Sequence, residues 1–522
     1  MAAVTALHQI SKSRIRDLNM ILWNVWTWKP TLGLSVEVIH GSGDEDHDPL
    51  EAFKAILEVI QFKEVSAFAL QLRKRIADSE GDATRNNFQS AAVSVPPLTG
   101  SYHILFPIDF DDGIRWLLKV PGIGLKELWN DAAATSLSSE ALTMQLLLRE
   151  TTIRLPQVFD FSPSLENPLG VPFIVLEFVE GLSLYDVWFD LTVTKDELRV
   201  RRTHVLENIA EAMVQLSKFS FDRGGSVQFD SQGRPSGIGP YREVDNHAML
   251  AGLDKDEEEV ADGDDDDDGE LIYRQYGPSD STQSFFSERL TKIPEPDIDM
   301  QKLDLALLKF FVDLVPEPKS DVKPFVLAHP DFDIRNFIVS QDGELKAIID
   351  WDGVATVPRA LGNERYPGWL TRDWDPMMYA WREGMETDPN GETLLEDSPT
   401  TLKYDRGIYL SHIQSRKVKE NATQSSQAIA TVQSLALENL LIAIVDPRCT
   451  RGILQNLVTN VVAAAATERS GELGEEEEDF DYGDIAGRLL GGDLSQKWKD
   501  MLQTGFNAVL AGYGGSEISS QS

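Results

Sequence analysis

The stretch from Phe325 to Asp352, FVLAHPDFDIRNFIVSQDGELKAIIDWD, constrains the fold more than any other part of the chain. It opens on the apolar run Phe325-Val326-Leu327-Ala328, which reads as a buried strand. His329, Asp331 and Asn336 follow at H-x-D-x-x-x-x-N spacing. Two more apolar runs come next, Phe337-Ile338-Val339 and Ala347-Ile348-Ile349, with Asp342-Gly343 between them as a hairpin signal. The second run ends in Asp350. One loop and one hairpin therefore bring Asp331, Asn336 and Asp350 to the ends of buried strands. An Asx-rich turn joining strands of any α/β domain would also supply polar residues here. Three of them in register with two strands and a hairpin point instead to a site.

Phosphoryl transfer from a nucleotide needs these residue types. One carboxylate orients the attacking hydroxyl and takes its proton, while an amide oxygen and a second carboxylate hold Mg²⁺ against the phosphates. The pattern matches a kinase catalytic loop and its later metal-binding Asp. Here Pro330 stands where protein kinases have Arg, and Trp351-Asp352 follow where they have Phe-Gly. In this form, HPDFDIRN followed by IIDWD, the sequence resembles the aminoglycoside phosphotransferase family, above all its large fungal branch. The resemblance implies that Asp331 is the catalytic base or orienting carboxylate and that Asn336 and Asp350 hold Mg²⁺. It implies ATP as the phosphate donor, and it gives His329 the part of a brace for the loop.

Upstream, the pattern from Leu98 onward is that of strands. Residues 102–108 and 114–120 flank the turn Asp111-Asp112-Gly113 and read as a hairpin. Gly100 and Ser101 stand where a kinase-like lobe places its phosphate-covering loop, although one glycine makes a poor glycine-rich loop. Lys119 ends the next strand in the context WLLKVP. A Lys in an apolar strand is costly to bury unless it meets an anion, here nucleotide phosphates and a helix carboxylate. A solvated strand end is the alternative. The carboxylate is expected from Glu140, on a helix read as starting at a Ser138 cap, in a segment similar to the family's S-E-x-x-T-M. A Glu in a first turn also serves simply as a partner for the helix dipole. The run from Phe173 to Gly181 reads as a buried strand entering an extended connection. By the resemblance this is the hinge, where Glu177 and Val179 would meet the adenine through the backbone; a central strand and turn would look the same.

The rest of the chain is mainly helical in period. Leu206, Ile209, Met213 and Leu216 mark one amphipathic helix, and Leu303, Leu307, Phe310, Phe311 and Leu314 another, stopped by Pro316. The FSFDRGGSVQFD segment between them resembles a fungal-branch motif. The acidic stretch 254–270 repels itself and reads as a solvated insertion, without the alternating ligands of an EF-hand. Further helices are expected over 428–445 and 453–466, then a second acidic run, Glu475 to Asp479, and a last helix around 494–510.

Residues 1–95 are the least legible, with Trp23, Trp26 and Trp28 in a cluster expected to pack on the next domain and helical spacing over 50–76.

The chain carries a formal net charge of −37, which argues against nucleic-acid backbones and anionic membranes and suits cationic or neutral small molecules. The lone Cys449 excludes an internal disulfide framework. No apolar run reaches the length of a membrane span. The cytoplasm is the preferred compartment. Lys12, Arg14 and Arg16 precede the first acidic residue and keep the mitochondrion as the second reading.

The expected architecture is α+β: a two-lobed protein-kinase-like fold with a small antiparallel-sheet N-lobe and a mainly helical C-lobe. Its parts are an N-terminal extension (1–95), the N-lobe with hinge (96–180), the C-lobe with its acidic insert (181–470) and a tail with an acidic run and a helix (471–522). The expected function is ATP- and Mg²⁺-dependent phosphorylation of a small-molecule hydroxyl. The aromatic and acidic cluster of Trp351, Asp352, Trp369, Asp373 and Trp374 suggests an acceptor site for an amine or sugar. The rival is a catalytically silent kinase-like domain that serves protein binding.

Overall fold

The computed structural model describes residues 50–80, 88–250, 272–318, 322–385, 395–419, 428–468 and 481–512. The Trp23–Trp28 cluster, the basic residues 12–16 and both acidic runs lie outside these residues. The chain divides into two compact units: one runs to Arg149 and adds Leu155–Ser183, and the other takes Glu150–Arg154 and everything from Leu184.

The first unit is built on a six-stranded sheet. Its strands are β1 (Ala91–Val93), β2 (Leu98–Thr99), β3 (His103–Phe110), β4 (Arg115–Pro121), β5 (Val158–Ser162) and β6 (Phe173–Glu177). The order is β1-β3-β4-β6-β5, β2 also pairs with β3, and every pairing is antiparallel. The β3–β4 hairpin turns where Asp111-Asp112-Gly113 predicts it. Gly113 adopts φ +87°, which a side chain would resist, and its N–H donates to Phe110 O at 3.0 Å.

Two helices precede the sheet, α1 (Lys54–Val59) and α2 (Phe62–Glu80), so the helical spacing over 50–76 is real but broken at Ile60-Gln61, where Ile60 turns extended. Phe53, Ile56, Ile60, Val65 and Leu72 share one buried core with Ile104, Phe106, Leu118 and Val175 of the sheet. Phe62 meets Phe106 edge-on at 5.8 Å, and Phe68 meets Phe173 at 5.2 Å. Each such side chain contributes roughly 1.5–3 kcal/mol when fully buried, which ties these helices to the sheet.

Helix α3 runs Asp131–Glu150, which corrects the expected start at Ser138. The helix is capped at Asn130, whose Oδ1 accepts the Ala133 N–H at 3.0 Å, while Ser138 lies inside and returns its hydroxyl to Ala134 O. A Ser-Ser pair resembles a cap in sequence because Ser favours both sites; inside a helix it bonds backward instead. Glu140 therefore lies well inside the helix, which removes the first-turn dipole reading for it.

In the second unit, Phe325–Ala328 is the middle strand of three, between Ser220–Phe221 and Ala355–Pro358, and all four of its residues are buried. Phe337–Val339 pairs with Leu345–Ile348 around Gly343 at φ +85°, the hairpin that Asp342-Gly343 predicts. Helices follow the expected periods. Lys195–Gln215 starts in a Thr194/Glu197 capping box, and Asp299–Asp313 buries Leu307, Leu308 and Phe311. Helices Ala428–Val445, Thr450–Glu468, Tyr482–Gly491 and Gln496–Leu510 complete a core that reaches Phe325 and Phe311. Gly505 is where two of them touch: a methyl group there would collide with Val461 O of Thr450–Glu468.

Candidate active site

The loop after the buried strand is fixed from several sides. His329 is 2 % exposed, and its Nε2 lies 2.8 Å from Ile349 O. A carbonyl only accepts, so this nitrogen carries the proton. The ring stands edge-on to Trp351 at 4.6 Å. Burial, the largest cause, pushes its pKa down to about 4. A neutral, bonded imidazole of this kind is a brace. Trp351 is itself fully buried and donates to Ile348 O.

Asp331 and Asn336 are joined directly. Asn336 Nδ2 donates to Asp331 Oδ2 at 2.7 Å and to Asp331 O at 2.8 Å, across the short 3-10 turn Ile334–Asn336. Its own carbonyl receives the Ile349 N–H at 2.9 Å, which ties the loop to the hairpin one residue before Asp350. The strand ends at Ile348, and Asp350 stands beyond it at φ +61°, the one left-handed non-glycine among the described residues. That conformation costs on the order of 1–2 kcal/mol for a residue with a Cβ. Burial lifts the Asp331 carboxyl to about 7; the Asp333 and Asp350 carboxylates push the same way and Asn336 pulls back. A carboxylate titrating there is suited to accepting a proton near neutral pH.

Arg365 is a part of the site that the sequence reading did not single out. Its NH2 donates to His329 O at 3.2 Å and Pro330 O at 3.3 Å, and its Nε meets Glu438 at 3.3 Å. One guanidinium thus holds the loop backbone while a half-buried helix carboxylate orients it. The only signal available was a charged pair, Glu364-Arg365, set among residues of apolar character. Asp333 faces Arg372 at 3.5 Å.

In the first unit, Lys119 and Glu140 form a buried ion pair, Nζ to Oε1 2.8 Å, with exposures of 6 % and 2 %. Lys119 lies inside the sheet, opposite Leu105 and Ile174, so the solvated strand end is excluded. Gly100 and Ser101 occupy the β2–β3 turn, closed by the Gly100 N–H to His103 O at 2.8 Å. Glu177 ends β6, and its exposed side chain accepts the Gln157 N–H at 3.2 Å; Val179 lies two residues past that strand.

The aromatic acceptor surface requires correction. Trp351, Trp369 and Trp374 are 0 %, 4 % and 8 % exposed, and Trp369 packs edge-on against Trp188 and Phe337. These rings fill the core beneath the loop. Asp373 is gripped by both terminal nitrogens of Arg406, at 2.7 and 2.9 Å.

Among the described residues no three His, Cys, Asp or Glu side chains gather with metal-binding geometry. Mg²⁺ delivered with a nucleotide does not require that, since one or two carboxylates, waters and phosphate oxygens suffice. The donors at hand are hard oxygens: the exposed Asp350 carboxylate, and the Asn336 amide, whose nitrogen is committed to Asp331 so that Oδ1 is its remaining ligand atom. That donor set fits Mg²⁺.

The α+β fold and this loop are together of the kinase-like type. Residues 110–360, just under half the chain, match the model of the phosphotransferase enzyme family. The match takes in Lys119, Glu140, Asp331, Asn336 and Asp350 and begins after Gly100 and Ser101.

Curated relatives carry the name "Altered inheritance of mitochondria protein 9, mitochondrial". The one from Candida tropicalis is 28 % identical over 145 residues, 27 % of this chain and 23 % of the relative. The one from Kluyveromyces lactis is 23 % identical over 348 residues, 57 % of this chain and 52 % of the relative. The chain thus spans about half, or less, of the relatives it matches. Among solved structures, the GDP complex of aminoglycoside 2'-phosphotransferase-IIIa aligns at TM-score 0.33 and 16 % identity, over 81 % of this chain and 97 % of that one. An ethanolamine kinase from Plasmodium vivax aligns at TM-score 0.34 and 13 % identity, over 79 % and 84 %.

Proposed function

We propose that this protein transfers the γ-phosphate of ATP to a hydroxyl group of a small molecule. The observation that carries the reading is the Asn336–Asp331 pair, in which a carboxylate lifted to about 7 is held at fixed orientation beside Asp350. The acceptor hydroxyl donates a hydrogen bond to Asp331. Its oxygen attacks the γ-phosphorus, the bond from that phosphorus to the β–γ bridging oxygen breaks with its electron pair leaving on ADP, and the hydroxyl proton passes to Asp331. Asn336 Oδ1 and Asp350 would hold Mg²⁺, which when bound neutralises charge on the phosphates. Lys119, aligned by Glu140, contacts the phosphates; Gly100 and Ser101 cover them, and Glu177 and Val179 meet the adenine through the backbone. His329 and Arg365 fix the loop from behind.

The acceptor is read as cationic or neutral, in keeping with the net charge of −37. The compartment is read as mitochondrial on the printed name of the relatives, in preference to the cytoplasm, and a fluorescent fusion of the full chain tests it.

A silent domain is the second reading, favoured by one observation: the turn at Gly100-Ser101 contains a single glycine where phosphates would need close backbone approach. A radiolabelled-ATP screen of amino alcohols, amino sugars and generic peptides, with Asp331→Asn as control, separates the two. Labelling of a small molecule that vanishes in the control supports the kinase. Mg·ATP binding without transfer to any acceptor favours the silent domain, and labelling confined to peptides sinks the small-molecule acceptor.

A further inference from the structure

A cavity of about 570 Å³ lies wholly within the second unit, at the first turns of helices Lys195–Gln215 and Pro399–Lys419. Its size is that of a small-ligand pocket. Its walls mix apolar side chains such as Phe189, Leu191 and Leu395 with five carboxylates and three cationic side chains.

Much of that charge is already committed. Asp397 accepts from Trp188 Nε1 at 2.7 Å and from Arg202 at 2.8 Å, and Asp190 takes Arg201 at 2.9 Å. Arg199 lies over the Tyr404 ring at 4.4 Å, and Arg202 over Trp188 at 4.7 Å while donating to Trp188 O. Of the two fully buried wall carboxylates, Asp405 is the exception. It is 5 % exposed, its Oδ2 receives no hydrogen bond, and its nearest cation, Arg202, stands at 3.8 Å. An ionised oxygen buried without a donor costs several kcal/mol unless a partner arrives.

Two helix N-termini at one cavity would ordinarily favour an anion. Here both are capped from within, Thr194 Oγ1 accepting the Glu197 N–H and Ser398 Oγ the Thr401 N–H, and Asp196 and Glu197 add negative charge to one of them. Of the five wall carboxylates, Asp190 is matched by Arg201 from outside the walls, and the other four face three wall cations, which leaves a small negative surplus. Burial lifts both Asp405 and Glu396, another wall residue, to about 7, as carboxylates lacking a full counter-charge behave.

We propose that this cavity is a binding site for a small organic cation with an apolar body, its ammonium directed to Asp405 and its body against Phe189, Leu191 and Leu395. Asp331 and Asn336 are not among the residues that line it, and the inference does not rest on the phosphotransferase reading.

The test is calorimetric titration of the full chain with phenethylamine, phenethyl alcohol and phenylacetate. The amine binds, the alcohol binds at least about tenfold more weakly, and the carboxylate does not bind. Asp405→Asn weakens the amine by about tenfold or more. Thr400→Trp, which places an indole at an exposed wall position and leaves the buried network intact, removes binding even if Asp405→Asn fails to fold. Asp331→Asn binds the amine as the parent does. Equal affinity for alcohol and amine, preference for the carboxylate, no binding of any probe, unchanged binding in Thr400→Trp, or loss of amine binding in Asp331→Asn would each overturn the proposal.

Discussion

Asn336 bonds twice to Asp331, once to its carboxylate and once to its backbone oxygen, so that one amide sets both the side chain and the turn that carries it. The same residue receives the Ile349 N–H, and the position of Asp350 one residue later follows from it.

This division of labour predicts two distinct losses. Asp331→Asn retains Mg·ATP binding and loses turnover by roughly 10²–10⁴-fold, the usual worth of a positioned base. Asp350→Ala weakens Mg·ATP binding by about tenfold or more, as loss of a metal ligand should. Calorimetry and single-turnover assays on both variants check this; parent-like binding by Asp350→Ala would show that Asp350 holds no metal.

The Lys119–Glu140 pair predicts a stability pattern. Lys119→Met deprives a carboxylate that is 2 % exposed of its cation and should cost about 3–5 kcal/mol. Adding Glu140→Leu removes that stranded charge, so the double variant should be more stable than Lys119→Met alone. Denaturant unfolding of the three proteins measures it, and a double variant weaker than the single one would contradict the account.

The left-handed backbone at Asp350 separates strain from function. Asp350→Gly relieves a φ of +61° and should stabilise the fold relative to Asp350→Ala by about 1 kcal/mol, while both variants lose the carboxylate. Equal melting temperatures for the two would mean that the conformation carries no strain.

Asp405 predicts a pH dependence. Burial raises its folded pKa to about 7, with Asp397 pushing the same way and Arg202 and Arg199 pulling back. The unfolded value lies near 3.9. A raised folded pKa contributes stability that is fully present below the unfolded value and lost as pH climbs through about 7. Asp405→Asn, neutral throughout, should therefore match the parent at acid pH and gain on it by a few kcal/mol at pH 8. Thermal melts across that window test the sign, and a variant that loses ground as pH rises refutes it.

The 329–336 loop and its hairpin were legible in sequence because strands of three or four residues, an Asp-Gly turn signal and a fixed polar spacing leave few alternatives. Lys119 was legible for a related reason, an isolated charge within an apolar strand. The start of α3 was not, because Ser serves equally as a cap and as an interior residue, and the choice depends on Asn130 eight positions earlier. The tryptophans misled because nearness in sequence says nothing about which way a ring faces; Trp351, Trp369 and Trp374 turn inward. Arg365 and Asp405 owe their roles to helices far along the chain, and no local pattern marks them.

At Gly505 the contact with Val461 O leaves no room for a single methyl group. Such a contact opposes sliding as much as separation. A one-residue slip of the Gln496–Leu510 helix would bring Thr504 or Phe506 to that point, and Phe506 is already committed to Phe311 at a ring distance of 5.3 Å. The helix can therefore dock in one register only, like a key with a single notch.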